Sequence, residues 1–426
     1  MIRRRTVATA LILSAWALLL VLAWALGQYK VATTEAWLKL SAMPLYGHWH
    51  PDIDARLLIP IGAGALLIAA LPVIAARWRW RWTVAPMALG GIAFSLALSF
   101  AHSHENTRTD LHRDYGAHIH LIDDAGGLRS FLETYTTTQA AGDFPTHLSS
   151  HPPGLLTLLW GADRIGLSGL CFDNTLILLA AGASVGAALI IGREIAGERL
   201  ARRAAPFLVI VPAAFWHNNA DIVFCVVLVA MALLVLATGR TGPKAWALTV
   251  AGGLLAGAAA LLTFSSALVA LPFLVVAVLR RRWDVILGGG AVAAAIVLAP
   301  LAWGYWYLDG MAATRIRYYA GVASHRGYWY FLIGNPAILA LAIGPAITAA
   351  LVFLRNRAMW IVVGSALASI AIATFSGMYS GEVERIWQPF IPLILLAGCA
   401  LRSIRPWLTV QLGVAVLLAA VLQTPW

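Results

Sequence analysis

Residues 58–101 read LIPIGAGALLIAALPVIAARWRWRWTVAPMALGGIAFSLALSFA, two long apolar runs joined by a basic connection. A helix of about twenty residues rises far enough to cross the roughly 30 Å hydrocarbon core of a bilayer. Arg77, Arg79 and Arg81 in the connection are typical of a short cytoplasmic loop. The stretch therefore predicts two transmembrane helices with a cytoplasmic turn between them.

The same pattern recurs along the 426 residues, which are 61% apolar and 12% charged, with a mean hydropathy of +0.80. Soluble domains have about 45–50% apolar and about 25% charged residues. We predict an all-α, polytopic membrane protein with about thirteen transmembrane helices, the N-terminus inside and the C-terminus outside. The predicted spans are 7–27, 58–76, 83–101, 173–193, 204–217, 220–238, 245–262, 265–280, 284–302, 332–354, 358–376, 386–401 and 407–424.

The net charge of +11 arises largely from short basic clusters between these spans, such as Arg193–Arg203 and Arg280–Arg282. Their alternation follows the positive-inside rule, so it indicates topology and not a nucleic-acid partner. No Gly-rich phosphate loop is visible in the cytoplasmic connections, which argues against nucleotide substrates. The sizeable polar loops fall outside, which predicts a multi-pass protein of the bacterial plasma membrane with its active face outside the cytoplasm. These loops are 28–57, 102–154, 303–331 and 377–385.

The outer loop 102–154 contains seven of the eleven histidines and seven carboxylates. Within it, 123–136 (DDAGGLRSFLETYT) predicts an amphipathic helix that lies along the interface, with Asp123–Asp124 as N-terminal caps. The following segment, Leu155–Leu167, is apolar but too short to span a membrane. We interpret it as a surface or re-entrant helix that Pro152–Pro153 opens.

The motif His151-Pro152-Pro153-Gly154 and its apolar helix resemble the HPP-type motif of C-type (GT-C) membrane glycosyltransferases, with Gly where many relatives carry Leu or Ile. This group includes protein O-mannosyltransferases and lipid A aminoarabinose transferases. The turn and returning helix at 189–221 (LIIGREIAGERLARRAAPFLVIVPAAFWHNNAD) look similar too, as do YYAGVASHRGYWYFLIGN and SGEVERIWQPF, which resemble actinobacterial members. The resemblance covers roughly 83–426 as a catalytic module, so 1–82 are predicted to be two added N-terminal helices.

The resemblance implies an inverting transfer of a sugar from a polyprenyl-phosphate carrier to a glycan, glycolipid or protein acceptor. Such a reaction needs a carboxylate that takes the proton of the attacking hydroxyl. Asp114 in HRDYG is our first candidate and Asp110 our second, since both follow the third span closely. Either carboxylate could instead be solvated or paired with Arg108 or Arg113.

Cationic or N–H donors must also neutralise the departing lipid phosphate. The candidates for contact with the donor phosphate or sugar are His151, Arg317, Arg326, Arg385 and Glu384. Arginine beside aromatic residues at a membrane face can also simply anchor a helix. Lipids and the lipid-linked donor are the predicted partners.

The paired histidines His102/His104 and His118/His120, and the acidic pair Asp52/Asp54, raise a divalent cation as an alternative. Their spacing matches no common metal motif, so no metal or other cofactor is predicted. Two other functions stay open. A transporter or flippase should carry ionisable residues at mid-membrane, where these spans are nearly free of charge. A non-catalytic scaffold would use the outer loop only to bind a partner.

Overall fold

The computed structural model describes residues 2–33, 42–102 and 110–424, without the side chains of residues 2–4, 102, 110, 322 and 323. It is almost wholly helical. The first helices are α1 (Ile2–Thr33), α2 (Leu58–Arg77), α3 (Trp80–His102), α4 (Asp110–Asp114), α5 (His120–Asp124), α6 (Leu128–Ala141), α7 (Thr146–Ser150), α8 (Gly154–Asp163), α9 (Gly169–Ala196) and α10 (Glu198–Val209). The later ones are α11 (Val226–Thr238), α12 (Gly242–Leu262), α13 (Ser266–Val269), α14 (Leu271–Leu279), α15 (Trp283–Leu298), α16 (Tyr307–Ala320), α17 (Tyr328–Phe353), α18 (Arg357–Phe375), α19 (Val383–Ile386), α20 (Ile391–Leu395) and α21 (Ile404–Val421).

Short 3-10 helices and one small strand pair complete the described part of the chain. The 3-10 helices are Ala55–Leu57, Gly116–His118, Pro212–Trp216, Ala220–Cys225, Ala299–Trp303, Val322–His325 and Leu396–Ala400. Strands β1 (His48–Trp49) and β2 (Leu422–Gln423) pair antiparallel, with His48 opposite Gln423 and Trp49 opposite Leu422. This pairing fastens the segment before α2 to the end of α21.

Ten helices in the described residues are long and apolar enough to cross a membrane. Each coincides with a span predicted from the sequence, which confirms a helical chain built for multiple membrane crossings. The other three predicted spans (204–217, 265–280 and 386–401) are helices interrupted near Pro212, Pro272 and Pro392. Proline lacks the N–H that a continuous helix requires. The total of about thirteen therefore stays a prediction.

The chain divides into two compact units. Their limits differ from residue 82, where the sequence predicts that two added N-terminal helices end, and that boundary stays a prediction. The first unit comprises Met1–His104, Ser184–His217 and His325–Pro425. The second comprises Glu105–Ala183 and Asn218–Ser324.

In the first unit, the interrupted segments 204–217 and 386–401 run antiparallel to each other, so the start of each lies beside the end of the other. Arg203 donates to the Leu401 carbonyl at 2.6 Å, whereas Gln388 donates to the Ala213 carbonyl at 3.2 Å. Arg202 lies at the same end as Arg203, because it donates to the Ala75 carbonyl at 2.7 Å. Predicted cytoplasmic arginines thus gather at one end of this unit, and residues 382–388 lie at the other.

A kink in α17 is also stabilised within the first unit. Gly344 has φ +76°, a non-helical conformation that leaves the Ile343 carbonyl and the Ala346 N–H without helical hydrogen bonds. The Gln411 amide of α21 donates to the Ile343 carbonyl at 2.7 Å and accepts from the Ala346 N–H at 3.2 Å. A buried glutamine therefore replaces the missing helical hydrogen bonds.

In the second unit, α12 packs closely against α11 and α15 through glycines. A Cβ at Gly253 would lie 2.7 Å from the Gly289 carbonyl oxygen, so only glycine permits this approach. Arg282 donates to the carbonyls of Ala237 and Thr238 at 2.9 and 2.8 Å, which closes the end of α11.

The predicted helix 123–136 is partly wrong. Asp123 and Asp124 end α5, and α6 begins only at Leu128 after Gly126 and Gly127, both with positive φ. Asp123 is not a helix cap, because it pairs with Arg164 and accepts from Trp160 Nε1 at 3.1 Å. Of the apolar face predicted at Leu128, Phe131, Leu132 and Tyr135, the last three residues are buried.

Candidate functional site

Arg326 and Arg385, predicted to contact the donor phosphate, converge in the first unit on one carboxylate that the sequence did not single out. Arg326 Nη2 lies 3.0 Å from Glu382 Oε1, and Arg385 Nη2 lies 2.7 Å from Glu382 Oε2. Both arginines are 9% exposed. We call Arg326, Glu382, Glu384 and Arg385 the arginine cluster.

The backbone around Glu382 holds this geometry in place. Gly381 and Glu382 both have positive φ (+87° and +59°), which turns the chain sharply before α19. Asn335 of α17 donates to the Tyr379 carbonyl at 2.5 Å and accepts from the Gly381 N–H at 3.3 Å. Arg326 donates to the Ser380 carbonyl at 2.6 Å. A non-glycine residue in this conformation costs about 1 kcal/mol or more, and such strain is typical of functional sites.

Glu384 is the most deeply buried member of the cluster, at 0% exposure. Its Oε1 accepts from the Tyr46 N–H at 3.2 Å, and its Oε2 accepts no hydrogen bond from the described residues. Burial, reinforced by the neighbouring charge of Glu382, raises the pKa of Glu384 to about 7. The carboxyl is therefore poised to gain or lose a proton near neutral pH.

Glu382 behaves in the opposite way. Burial alone would raise the pKa of Glu382, but the charges of Arg385 and Arg326 outweigh it and lower that pKa. Two guanidiniums (+2) and one carboxylate (−1) leave the described side chains of the cluster with a charge of +1 when Glu384 is protonated. An excess of buried positive charge beside hydrogen-bond donors favours an anion.

Asp114, the first candidate base, lies at the end of α4 in the second unit and is 9% exposed. Arg113 Nε donates to Asp114 Oδ1 at 2.9 Å, and His147 Nε2 lies 3.2 Å from Asp114 Oδ2. The predicted pairing with Arg113 is thus observed, and His147 is an additional partner. A carboxylate oriented by two neighbours and next to an imidazole can accept a proton and pass it on.

A second histidine–carboxylate pair involves His112, which lies two residues before Asp114 on α4. His112 Nδ1 is 2.8 Å from Asp173 Oδ2, and Asp173 is 2% exposed. A Cβ at Gly116 would lie 2.5 Å from that same carboxylate oxygen, so the close approach requires glycine. Asp110 opens α4, but its side chain lies outside the described ones.

His151 and Arg317 both lie near α6 in the second unit, His151 beside Tyr135 and Arg317 beside Gly142. The Tyr135 hydroxyl donates to the Leu148 and His151 carbonyls at 2.8 and 3.0 Å, and the His151 ring lies 4.8 Å from the Phe224 ring. The Arg317 guanidinium covers Gly142 at the C-terminal end of α6. A cation there complements the helix dipole, which is a structural role that Arg317 fills without a ligand.

The Gly154 departure from the glycosyltransferase motif has a steric reason. A Cβ at this position would collide with the backbone carbonyl of Leu261 in α12. Leucine or isoleucine would therefore force α8 and α12 apart. As predicted, α8 begins directly after Pro152–Pro153 and is short, with ten residues.

The structure brings Arg326, Glu384 and Arg385 together, and it adds Glu382, Tyr46, His147 and Asp173. Glu382 stood within the quoted SGEVERIWQPF segment, where a carboxylate three residues before Arg385 on a short helix could have indicated a pair. His147 and Tyr46 carry no such signal, because each is far along the chain from its partner.

Of the alternative metal ligands, His104 and the side chain of His102 lie outside the described residues, whereas the acidic pair has another role. Asp52 and Asp54 both contact Arg56, and the Asp54 carboxylate also accepts from the Arg56 N–H at 2.8 Å. Within 2–33, 42–102 and 110–424, no three His, Cys, Asp or Glu side chains are grouped to hold a metal ion. The absence of a metal stays a prediction. The sequence matches no protein-family model and no curated protein.

Proposed function

We propose that this chain is an inverting GT-C-type glycosyltransferase of the bacterial plasma membrane. It moves a sugar from a polyprenyl-phosphate carrier to a glycan, glycolipid or protein acceptor on the outer face. The acceptor oxygen bonds to the anomeric carbon, the bond from that carbon to the phosphate oxygen breaks, and a carboxylate takes the hydroxyl proton. Polyprenyl phosphate is the leaving group.

The observation that carries this proposal is the convergence of Arg326 and Arg385 on Glu382. As the sugar departs, the lipid phosphate gains negative charge, and preformed cationic donors stabilise that charge most effectively where water is excluded. The cluster supplies two guanidiniums of low exposure, and its described side chains carry a net charge of +1 when Glu384 is protonated. Helix anchoring alone would not require two arginines buried around one carboxylate.

Asp114 is the proposed base, with His147 as its positioning partner. General-base assistance typically contributes about 10²–10⁴-fold to a rate. The His147 contact at 3.2 Å fixes one carboxylate oxygen and offers a route by which the proton leaves the site. Asp110 is the second candidate.

The test is transfer by the purified protein in lipid nanodiscs, supplied with a panel of radiolabelled polyprenyl-phosphate sugars and membrane acceptors. We expect one donor to be consumed with stoichiometric release of polyprenyl phosphate. Arg385→Ala should lower turnover about 10²–10³-fold, the usual effect of losing one such donor. Arg357→Ala, an exposed arginine at the start of α18, is the matched control. Movement of an intact lipid-linked sugar across the bilayer without release of polyprenyl phosphate would instead identify a flippase.

A further inference from the structure

A cleft of about 510 Å³ opens in the first unit, at the end where the predicted cytoplasmic arginines gather. Its cationic wall comes from α10, which contributes Arg199, Arg202 and Arg203. Its apolar wall comes from the last turns of α2 and from Ile404, the first residue of α21. Both α2 and α21 are long and apolar enough to cross a membrane. The cleft therefore lies at the depth of the lipid headgroups of a membrane that these helices cross.

The cleft carries an excess of positive charge. Glu198 is the one carboxylate among its described lining residues; Arg202 Nη2 lies 2.7 Å from Glu198 Oε1, and Arg193 Nη2 lies 3.1 Å from Oε2. Arg199 and Arg203 therefore have no carboxylate partner within this described lining. Three lining arginines and one glutamate give the cleft a net charge of +2. Such an excess favours an anion, and phosphate oxygens match the planar donors of a guanidinium.

Hydrogen bonds hold the cationic wall in place. Arg202 Nη1 donates to the Ala75 carbonyl at 2.7 Å, which ties α10 to the last turn of α2. Arg203 Nη2 donates to the Leu401 carbonyl at 2.6 Å, which ties α10 to the chain just before α21. A preformed site binds its ligand without the cost of ordering these long side chains.

The apolar wall continues along α2 as a stripe of exposed side chains. Leu66, Ala69, Val73 and Ala76 recur at the three- and four-residue spacing of one helix face, and all four are exposed. Ala76 lines the cleft, and Leu66 lies ten residues earlier, about 15 Å along the helix. A hydrocarbon chain on this stripe would begin at the cationic wall and run towards the centre of the membrane. A free phosphate would leave the stripe unused.

The two walls together fit a molecule that joins a phosphate to hydrocarbon chains. We propose that the cleft binds an anionic phospholipid of the cytoplasmic leaflet, with its phosphate at Arg199 and Arg203 and an acyl chain along the α2 stripe. The leaflet follows from the predicted topology, and the inference does not depend on the proposed transferase activity. Basic pockets between transmembrane helices on the cytoplasmic side bind anionic lipid headgroups in other proteins.

The test measures binding of phosphatidylglycerol, phosphatidylcholine and glycerol phosphate to the full-length protein in neutral detergent, by native mass spectrometry. Phosphatidylcholine has the same phosphate and chains as phosphatidylglycerol but no net charge, and glycerol phosphate has no chains. We expect phosphatidylglycerol to bind about tenfold more tightly than either.

Two double variants test the position of the site. Arg199→Gln/Arg203→Gln should weaken phosphatidylglycerol binding about tenfold, because both unpaired guanidiniums are lost. Arg77→Gln/Arg402→Gln removes the same charge from two exposed arginines on the same predicted face but outside the described lining, and should bind as the unaltered protein does. Arg199→Gln, with Arg402→Gln as its control, repeats the comparison if the Arg203 change prevents folding.

Three results would overturn the proposal. Equal affinity of the two double variants for phosphatidylglycerol, or of the two single variants, would assign the attraction to the general positive charge of this face. Glycerol phosphate binding as tightly as phosphatidylglycerol would identify a site for a soluble phosphate. Phosphatidylcholine binding as tightly as phosphatidylglycerol would show that the arginines do not select the lipid.

Discussion

Arg326 and Glu382 form a buried ion pair, with Nη2 of the arginine 3.0 Å from Oε1 of the glutamate. Arg326 precedes α17 and Glu382 precedes α19, so the pair joins two segments far apart in sequence. Because Arg385 contacts the other oxygen of the same carboxylate, Glu382 occupies the position that we assign to an incoming phosphate. Glu382 is therefore both the counter-ion of the two arginines and the competitor of the ligand.

Glu382→Gln tests this double role. Removing the Glu382 carboxylate breaks both ion pairs, and breaking a buried ion pair typically costs about 3–5 kcal/mol, so the apparent melting temperature should fall. Added geranyl phosphate, a short analogue of polyprenyl phosphate, should then raise that temperature more in Glu382→Gln than in the unaltered protein, because the ligand replaces the lost charge. A purely structural ion pair would give the same ligand response in both proteins. Glu133→Gln, a change at an exposed carboxylate of α6, is the control.

Glu384 predicts a pH dependence of stability. Burial raises the pKa of Glu384 to about 7 from an ordinary value of 4.5, so between these values the folded protein binds a proton that the unfolded chain has released. The contribution of Glu384 is therefore fully present below pH 4.5 and is lost as the pH rises to 7, by up to about 3 kcal/mol.

The measurement is the apparent melting temperature between pH 4.5 and 8 for the unaltered protein and for Glu384→Gln. The difference between the two curves should grow as the pH rises, with the glutamine protein relatively more stable at pH 8. Parallel curves would show that Glu384 does not titrate in this range.

Length and hydropathy were enough to predict the ten long helices, but not where helices break. Pro72 and Pro86 lie inside α2 and α3, whereas Pro212, Pro272 and Pro392 each begin a new helical segment. Whether a helix tolerates proline depends on what satisfies the freed carbonyl groups, and that is a property of packing.

The candidate site was also predictable only in part, because its contacts join residues that are far apart in the sequence. Arg326 and Arg385 were predicted as phosphate contacts because they are cations in the predicted outer loops. Their meeting point at Glu382 depends on the turn at Gly381 and on Asn335, which hydropathy does not encode. His147 reaches Asp114 only because α6 and α7 fold back towards α4, a long-range contact with no local signal.

Topology gives a prediction that is independent of catalysis. In a Cys171→Ser background, which removes the one exposed native cysteine, cysteines at Thr134 and Ser324 should react with an impermeant thiol reagent on intact spheroplasts. Cysteine at Ser403, beside Arg402 in a predicted cytoplasmic connection, should react only after lysis. Both predictions follow from the positive-inside rule. Labelling of the Thr134 and Ser324 variants only after lysis would place the outer loops in the cytoplasm and exclude the proposed function.

Two glycines in α8 offer a matched pair for the packing of the motif helix. A Cβ at Gly154 would collide with the Leu261 carbonyl, whereas a Cβ at Gly161 would meet nothing within 4 Å. Gly154→Ala should destabilise the protein by about 1–3 kcal/mol through overpacking. Gly161→Ala should be neutral or stabilise it by up to about 1 kcal/mol, because alanine favours the helix. Equal melting temperatures for the two variants would mean that α8 and α12 are not in close contact.

The proposed base is tested by Asp114→Asn, which preserves the size of the side chain but cannot accept the proton. We expect transfer to fall at least 10²-fold, the lower limit for general-base assistance, while geranyl phosphate binding is retained. His147→Gln keeps a polar side chain in place of the His147 ring, which lies 3.2 Å from Asp114, but removes the proton route, so its loss of transfer should be smaller than that of Asp114→Asn.

Asp110→Asn is the necessary comparison, since Asp110 and Asp114 belong to the same short helix. Loss of transfer in Asp110→Asn with normal transfer in Asp114→Asn would exchange their roles and leave the mechanism intact. If both variants transfer sugar at the unaltered rate, α4 holds no base, and His147 loses its proposed role as well. Since retained binding of the lipid phosphate accompanies each measurement, a loss of transfer can be assigned to proton removal and not to loss of the donor.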